Sequence, residues 1–130
     1  MTKNSFLIFL CAMAAPHSPW AGETGKPADL AKLHQSYTKR GYSTLGMPEY
    51  NKTLHISGTA LEYSQGIGGD GILSVGSGRT TQVLARLVAA TDEEDAKMKA
   101  VPIGGKFRAT CALGFSSGSD YLAMRDCTFQ

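Results

Sequence analysis

The 130-residue chain contains few cysteines and histidines, three of each, and its formal net charge is only +2. Its longest apolar run, residues 6–15, covers about half of the roughly 20 residues that a helix needs to cross a membrane. A membrane span is therefore not expected. The hydrophobic content of 42% and the charged content of 18% are typical of one globular domain, and they exclude a fibrous or wholly disordered chain.

The first 21 residues have the layout of a secretory signal peptide. Lys3 lies in a short polar start, the apolar run follows it, and Pro16 and Pro19 break the helix afterwards. Ala21 suits the residue before cleavage, although Pro19 is not the small residue preferred two places earlier. Cys11 follows bulky residues instead of small ones, so lipid attachment is not expected. We therefore predict a signal peptide over residues 1–21 and a periplasmic or secreted protein.

Removal of that segment leaves two cysteines, Cys111 and Cys127, in an oxidising compartment. An even number there favours one disulfide, and closing this loop would stabilise the fold by about 3 kcal/mol on the chain-entropy model. Two buried thiols or half of a metal site are the alternatives. A zinc site needs three or four ligands, and His34 and His55 have no ligand-like spacing. We predict the disulfide and no metal, and we interpret both histidines as surface or capping residues.

The charge of the chain and the types of its residues argue against strong nucleic-acid binding, catalysis and calcium binding. The chain from Gly22 onward keeps 12 Lys and Arg against 11 Asp and Glu, a net charge of +1, so it lacks the electrostatic footprint of a strong nucleic-acid binder. Two histidines in unrelated elements offer no Ser–His–Asp arrangement, and both cysteines are expected to be bonded. The four consecutive acids at residues 92–95 fall in one helical turn and cannot converge on a calcium ion. We do not expect an enzyme.

The stretch GIGGDG, residues 66–71, matches the dinucleotide-binding pattern G-x-G-x-x-G letter for letter. In a dinucleotide site a helix follows the glycines, and its N-terminus faces the pyrophosphate. Here the β-like run ILSVGSG follows instead. Asp70–Gly71 is a favoured pair for a tight hairpin turn. The stretch therefore predicts a loop between two antiparallel strands and no bound cofactor.

The hydrophobic pattern begins with a short amphipathic helix and then changes to strands. Leu30, Leu33, His34 and Tyr37 share one helical face, and residues 41–50 read as a connecting loop. In the first strand the apolar residues change from even to odd positions across Gly58. This change indicates a bulge that lets one strand pair with two neighbours.

The remaining pattern predicts a second strand at residues 72–78 and a third at 80–88. A capping box at Thr91 and Glu94 starts the second helix, and the last two strands cover 106–114 and 121–129. We predict a mainly β fold, a five-stranded OB-fold barrel with a helix between strands 3 and 4 and a short N-terminal helix. Residues 22–50 carry the N-terminal helix and connecting loop, and residues 51–130 the OB-fold domain.

The fourth and fifth strands also predict how the cysteines meet. Cys111 shares the inward phase of its strand with Phe107 and Ala109, whereas Cys127 falls out of phase in the next. A bulge at Arg125–Asp126 would restore the phase and bring the two sulfur atoms together.

Three blocks of the sequence resemble a known family. They are PEYNKTLHISGTA (48–60), IGGKFRATCALG (103–114) and YLAMRDC (121–127), with an acid- and lysine-rich helix after the first. Together they look like the bacterial exported OB-fold proteins of the tRNA-anti-like family, over about residues 28–129. The stretch GYSTLGMPE (41–49) departs from the acidic, alanine-rich lead-in usual there. The resemblance implies an exported OB fold with a cysteine in the last strand, and it does not imply tRNA binding.

An OB fold normally binds ligands across its second and third strands and their flanking loops. The side chains expected to point outward there include one cation and no aromatic ring: Ser74, Gln82, Leu84 and Arg86. We take Ser74, Gln82 and Arg86 as the candidate ligand-binding residues. Single-strand binders need aromatic platforms and a basic groove. The rings that could be exposed are scattered along the chain and could equally be core or barrel-end plugs: Tyr42, Tyr63, Phe115 and Tyr121.

These observations favour an exported binding module that binds a protein or glycan of the cell envelope. The alternative is a weak single-stranded nucleic-acid binder, whose affinity would fall steeply as salt rises. A structural accessory of an envelope assembly is equally compatible with the sequence.

Overall fold

The computed structural model describes residues 25–130, and the predicted signal peptide lies outside the described residues. Two helices and six strands follow one another along this part of the chain: β1 (Lys26–Pro27), α1 (Leu30–Lys39), β2 (Thr53–Gln65), β3 (Gly71–Gly76), β4 (Ala85–Ala89), α2 (Asp92–Ala100), β5 (Lys106–Leu113) and β6 (Leu122–Phe129). No helix within residues 25–130 is long and apolar enough to cross a membrane.

Strands β2 to β6 close into a five-stranded barrel. The order around it is β2-β3-β4-β6-β5, and β5 pairs back with β2. The β4–β6 pair is parallel and the others are antiparallel. With α2 between the third and fourth barrel strands, this is the predicted OB fold. The sequence did not reveal β1, which adds two parallel residues beside β2.

Strand β2 pairs with two neighbours and thereby closes the barrel. Its first part pairs with β5 and its second part with β3, and Thr59 is paired on both sides. A Cβ atom on Gly58 would press against the backbone carbonyl of Gly76 and the ring of Phe107, so the crossing requires glycine. The extra residue lies at Leu61, so the predicted bulge exists but its predicted position at Gly58 was wrong.

Helix α1 packs on the barrel by the predicted face. Leu30, Leu33 and Tyr37 are buried in the same core cluster as the strand residues. The Asp29 carboxylate caps the helix by accepting the backbone N–H of Lys32 at 3.0 Å. The residue after the C-cap is a glycine with φ 77°, which ends the helix as expected.

Helix α2 buries only one residue, Met98. Interactions at its two ends therefore contribute much of what holds it in place. The Thr91 hydroxyl accepts the backbone N–H of Glu94 at 3.1 Å, and acids in the first turn and lysines in the last suit the helix dipole. The other half of the predicted capping box is not formed, because the Glu94 carboxylate accepts the backbone N–H of Phe129 at 2.7 Å. Glu94 thus fastens α2 to the last strand.

A glycine-rich hairpin joins β2 and β3, as predicted, and β3 follows it where a dinucleotide site would have a helix. The turn itself lies earlier than the predicted Asp70–Gly71 pair. Gly71 already pairs with Gln65 as the first residue of β3, and Gly69 has φ 88°. The backbone N–H of Gly66 donates to the Asp70 carbonyl at 2.8 Å and closes the loop.

Strand β4 begins at Ala85, later than predicted, and residues 80–84 are irregular. The expected outward position of Leu84 is wrong, since its side chain is buried in the core. The alternation of inward and outward side chains holds only where the chain is extended in the sheet. Leu84 instead enters the core just before the strand, held by an N–H donated to the Val75 carbonyl at 2.8 Å.

Cys111 and Cys127 form a disulfide between β5 and β6, with Cα atoms 4.1 Å apart. The pairing with β5 slips by one residue between Arg125 and Thr128, and Asp126 has φ 54°. The predicted bulge at Arg125–Asp126 is confirmed. It turns Cys127 inward, where both cysteines are fully buried.

Replacement of Cys111 or Cys127 by alanine should lower the melting temperature by several degrees. Loss of a native disulfide typically costs about 2–5 kcal/mol, and the alanine also leaves a small gap in the core. Thermal unfolding followed by circular dichroism measures the change. Mass spectrometry of the protein alkylated without reductant should show neither cysteine labelled, and two labelled cysteines would refute the bridge.

Gly58→Ala should destabilise the barrel by about 1–3 kcal/mol, because the added methyl group meets backbone that cannot move without opening β2 from β3. Gly68→Ala is the matched control, since its Cβ atom would meet only the Asp70 carboxylate at 3.9 Å. It should change stability by less than about 0.5 kcal/mol. Urea unfolding of both variants gives the comparison, and equal stabilities would contradict the crowded crossing.

Candidate ligand-binding groove

A groove of about 650 Å³ opens between α1, the segment before β4 and the loop 114–121. Two of the three candidate ligand-binding residues, Gln82 and Arg86, lie in it. It also lies at a loop that OB folds commonly use for ligands, the one that joins the last two barrel strands. We call it the Arg86–Tyr121 groove, and it is lined by His34, Thr38, Tyr42, Gln82, Val83, Arg86, Gly118, Ser119, Asp120 and Tyr121.

Ser74, the third candidate, does not line the groove and is not exposed as expected. It pairs with Glu62 of β2 on one side and Arg86 of β4 on the other. Only 2% of Ser74 is accessible, because its short side chain lies in a row between two longer ones. The expected exposure of Ser74 is therefore wrong, and its role in ligand binding has no support from an accessible side chain.

Arg86 and Tyr121 form the centre of the groove. The guanidinium carbon of Arg86 lies 4.2 Å from the centroid of the Tyr121 ring, which is the geometry of a cation–π contact. An Nη atom of the same arginine lies 3.5 Å from the tyrosine hydroxyl. Arg86 lies on β4 and is paired with β6, and Tyr121 lies directly before β6. The barrel thus places the guanidinium of Arg86 over the ring of Tyr121.

Hydrogen bonds from α1 fix the loop that carries Tyr121. The His34 Nε2 atom donates to the Asp120 carbonyl at 2.8 Å, and the Tyr37 hydroxyl donates to the Ser119 carbonyl at 2.8 Å. The Ser119 hydroxyl in turn donates to the Tyr121 carbonyl at 2.8 Å. Because the two helical residues are buried, their bonds hold the loop against a rigid element, and little ordering is left for a ligand to impose.

Contrary to the expectation from the sequence, the two histidines do not lie on the surface. His34 is 8% exposed and His55 is 4% exposed. The Nδ1 atom of His55 lies 2.9 Å from the Thr110 hydroxyl. Both are therefore buried polar side chains with partners. Within residues 25–130, no group of three or more His, Cys, Asp or Glu side chains is arranged to hold a metal ion.

Tyr42 brings a second ring to the groove. Its φ of 63° lies in the left-handed region, which a tyrosine rarely adopts, and such strain persists only where the surroundings enforce it. Its carbonyl accepts the N–H of Gly118 at 2.8 Å, and its ring meets Tyr37 edge to face at 5.6 Å. The ring remains 41% exposed, so it can contact a ligand.

The other two rings lie elsewhere. The Tyr63 hydroxyl donates to both carboxylate oxygens of Asp95, at 3.1 and 3.2 Å. Desolvation, this hydrogen bond and the negative charge of Asp95 raise the pKa of Tyr63 above its ordinary value of 10.0. Phe115 is 57% exposed and does not line the groove. The fold therefore unites Tyr42 with Tyr121 and separates them from the other candidates.

Opposite charges and amide and hydroxyl groups share the groove. Arg86 supplies a cation, Asp120 an anion, and Gln82 and Ser119 neutral donors and acceptors. Two rings at the same site provide apolar surface. This combination suits a polar ligand without a large net charge.

Sequence reasoning missed Tyr42, Asp120 and Tyr121 as members of this groove. A signal for two of them was present, since Asp120 and Tyr121 end the turn FSSGSD and begin the block YLAMRDC between the last two strands. The loop at this position is a known ligand-binding element of OB folds. Tyr42 had no such signal, because its place depends on a bridge between Ser43 and Ser117.

Comparison with solved structures agrees with the barrel. A proposed nucleic acid-binding lipoprotein from Klebsiella pneumoniae is similar with a TM-score of 0.67 and 12% identity, over 88% of this chain and 98% of that chain. A proposed aspartyl-tRNA synthetase from Leishmania major Friedlin has a TM-score of 0.48 and 9% identity, over 89% of this chain and 22% of that chain, which is too weak to support an argument. No family model and no curated protein matches the chain. The likeness to the lipoprotein shows a shared OB-type fold.

Proposed function

We propose that the protein is an exported, non-enzymatic OB-fold binding module that binds a glycan of the cell envelope in the Arg86–Tyr121 groove. One observation carries this proposal. The barrel and α1 bring Arg86, Gln82, Asp120 and two tyrosine rings into one fixed groove at a ligand-binding end of the fold.

The chemistry of the groove favours a glycan over a strongly charged ligand. Asp120 and Arg86 line the same groove with opposite charges, so phosphate groups should gain little there. Sugar hydroxyls can both donate to Asp120 and accept from Arg86 and Gln82. The rings of Tyr42 and Tyr121 offer apolar surface for the sugar carbons. OB folds are known to bind oligosaccharides as well as oligonucleotides.

Export is supported by three independent features. The first 21 residues have the layout of a signal peptide, and the disulfide suits an oxidising compartment. The similar structure from Klebsiella pneumoniae is described as a lipoprotein. Together these features favour the cell envelope as the place where the module meets its ligand.

Arg86→Gln should weaken binding of N-acetylglucosamine oligosaccharides, which are uncharged glycans with many hydroxyl and amide groups. A hydrogen bond to a charged group contributes about 1.5–3 kcal/mol, so the affinity should fall roughly 10- to 100-fold. Tyr121→Leu should weaken binding, and Tyr121→Phe, which keeps the ring, should retain most of it. Titration followed by amide chemical shifts measures the affinity and locates the contacts.

Lys52→Gln is the control, because Lys52 is an exposed cation outside this groove. It should leave glycan affinity unchanged. Equal binding by the Arg86→Gln and wild-type proteins would reject the groove as the glycan site. If the protein binds envelope peptides and no oligosaccharide, its ligand is a protein and not a glycan.

Single-stranded nucleic acid is the second candidate. It is favoured by the two rings of the groove, on which bases could stack, and by the description of the similar lipoprotein. We expect a 15-residue oligothymidylate to bind weakly and to dissociate at physiological salt, since few phosphates can be neutralised. Fluorescence anisotropy across a salt series checks this. Submicromolar affinity at physiological salt, lost in Tyr121→Leu, would place nucleic acid above the glycan.

A further inference from the structure

A second and larger groove, of about 900 Å³, lies between the first half of α1 and the strands β2 and β5. It shares no lining residue with the Arg86–Tyr121 groove. Its walls come from α1, β2, the segment after β3, and β5. It is therefore a separate surface of the molecule.

Positive charge dominates this groove. Lys32, Arg79, Lys106 and Arg108 line it, and Asp29 is the one acid among its lining residues. The Asp29 carboxylate is occupied as the cap of α1. We call this surface, defined by the four cations, the basic groove. Its local charge contrasts with the net charge of the chain, which is close to zero.

Three of the cations are available to a ligand. Lys32, Arg79 and Lys106 are exposed, and none of them takes part in a salt bridge within residues 25–130. Hydroxyl groups of Ser57 and Thr59 lie in the same groove and can donate hydrogen bonds to anionic oxygens. Cations drawn from separate elements onto one concave surface raise the local concentration of anions.

The positive charge continues along α1. A shallow depression next to the basic groove also contains Lys32, together with Lys39 and Arg40. Lys32 and Lys39 lie two turns apart on the same side of the helix, which separates them by about 10 Å. One compact anion cannot contact both Lys32 and Lys39, whereas an extended anionic chain can.

The basic groove offers no platform for nucleic-acid bases. Its one ring belongs to Phe107, which is 4% exposed and packed in the core. Binders that hold unpaired bases use exposed rings for stacking. A ligand here is recognised by its charges and not by its bases.

We propose that the basic groove binds an extended phosphate-bearing polyanion through its phosphate groups. Lys106 and Arg79 contact the chain within the groove, and Lys32 and Lys39 follow it along α1. The site is independent of the proposed glycan groove, and either can fail without the other.

Two probes of equal length test the proposal on the protein with its disulfide formed: a 15-residue oligothymidylate and an abasic chain of 15 deoxyribose phosphates. Both should bind with similar micromolar affinity at about 50 mM salt and far more weakly at about 200 mM. Lys32→Gln/Lys106→Gln should lower the affinity roughly tenfold. It should also reduce the slope of log affinity against log salt by about 1.4, the value for two contacts with a single strand.

Lys52→Gln/Lys99→Gln removes the same charge from exposed lysines outside both grooves. It should leave the affinity within about twofold of wild type, as expected for distant surface charge under screening. An equal loss in both double variants would overturn the basic groove as the site. Binding of oligothymidylate more than tenfold tighter than the abasic chain would overturn recognition by phosphate. Failure of both probes to bind at low salt would also overturn the proposal.

Discussion

The crossing of β2 between two partner strands closes the barrel and positions its other elements. Thr59 is paired with β3 on one side and β5 on the other, and Gly58 gives the backbone room to do so. Because β5 returns to β2, the sheet has no open edge between them and the strands enclose one core. The disulfide, the parallel β4–β6 pair and the loop 114–121 all take their positions from this closure.

The loop 114–121 connects the closed barrel to the Arg86–Tyr121 groove. It leaves β5 and enters β6, so the barrel fixes its two ends. The side chains of His34 and Tyr37 in α1 donate hydrogen bonds to carbonyl groups of this loop. The N-terminal helix is therefore part of the groove as well as part of the core. Because α1 packs in the core and also holds this loop, its buried face includes the polar side chains of His34 and Tyr37.

Charge is segregated in this molecule and is nearly balanced in its sequence. Four acids lie in the first turn of α2, where they favour the helix dipole and, through Glu94, hold β6. The cations Lys32, Arg79 and Lys106 gather at a different surface. None of the four acids lines the basic groove. Net charge alone therefore gives a poor account of which ligands the surface can attract.

Local sequence patterns were sufficient to predict both helices, most of the strands and much of the core. The 3.6-residue spacing of Leu30, Leu33 and Tyr37 predicted α1, and the phase change before Cys127 predicted the bulge that completes the disulfide. These signals are local, since each arises from neighbours along the chain. Gln82 and Arg86, chosen from the ligand surface that OB folds share, both line the Arg86–Tyr121 groove, and their contact with a ligand stays a prediction.

Which polar residues lie together could not be predicted from local patterns, because it depends on how distant segments fold onto one another. Tyr42, Asp120 and Arg86 come from three distant segments, and the basic groove assembles cations from three others. Ser74 has the outward phase of its strand, yet its longer neighbours bury it. Burial and proximity of this kind depend on side chains far apart in sequence, which no periodicity within one segment can report.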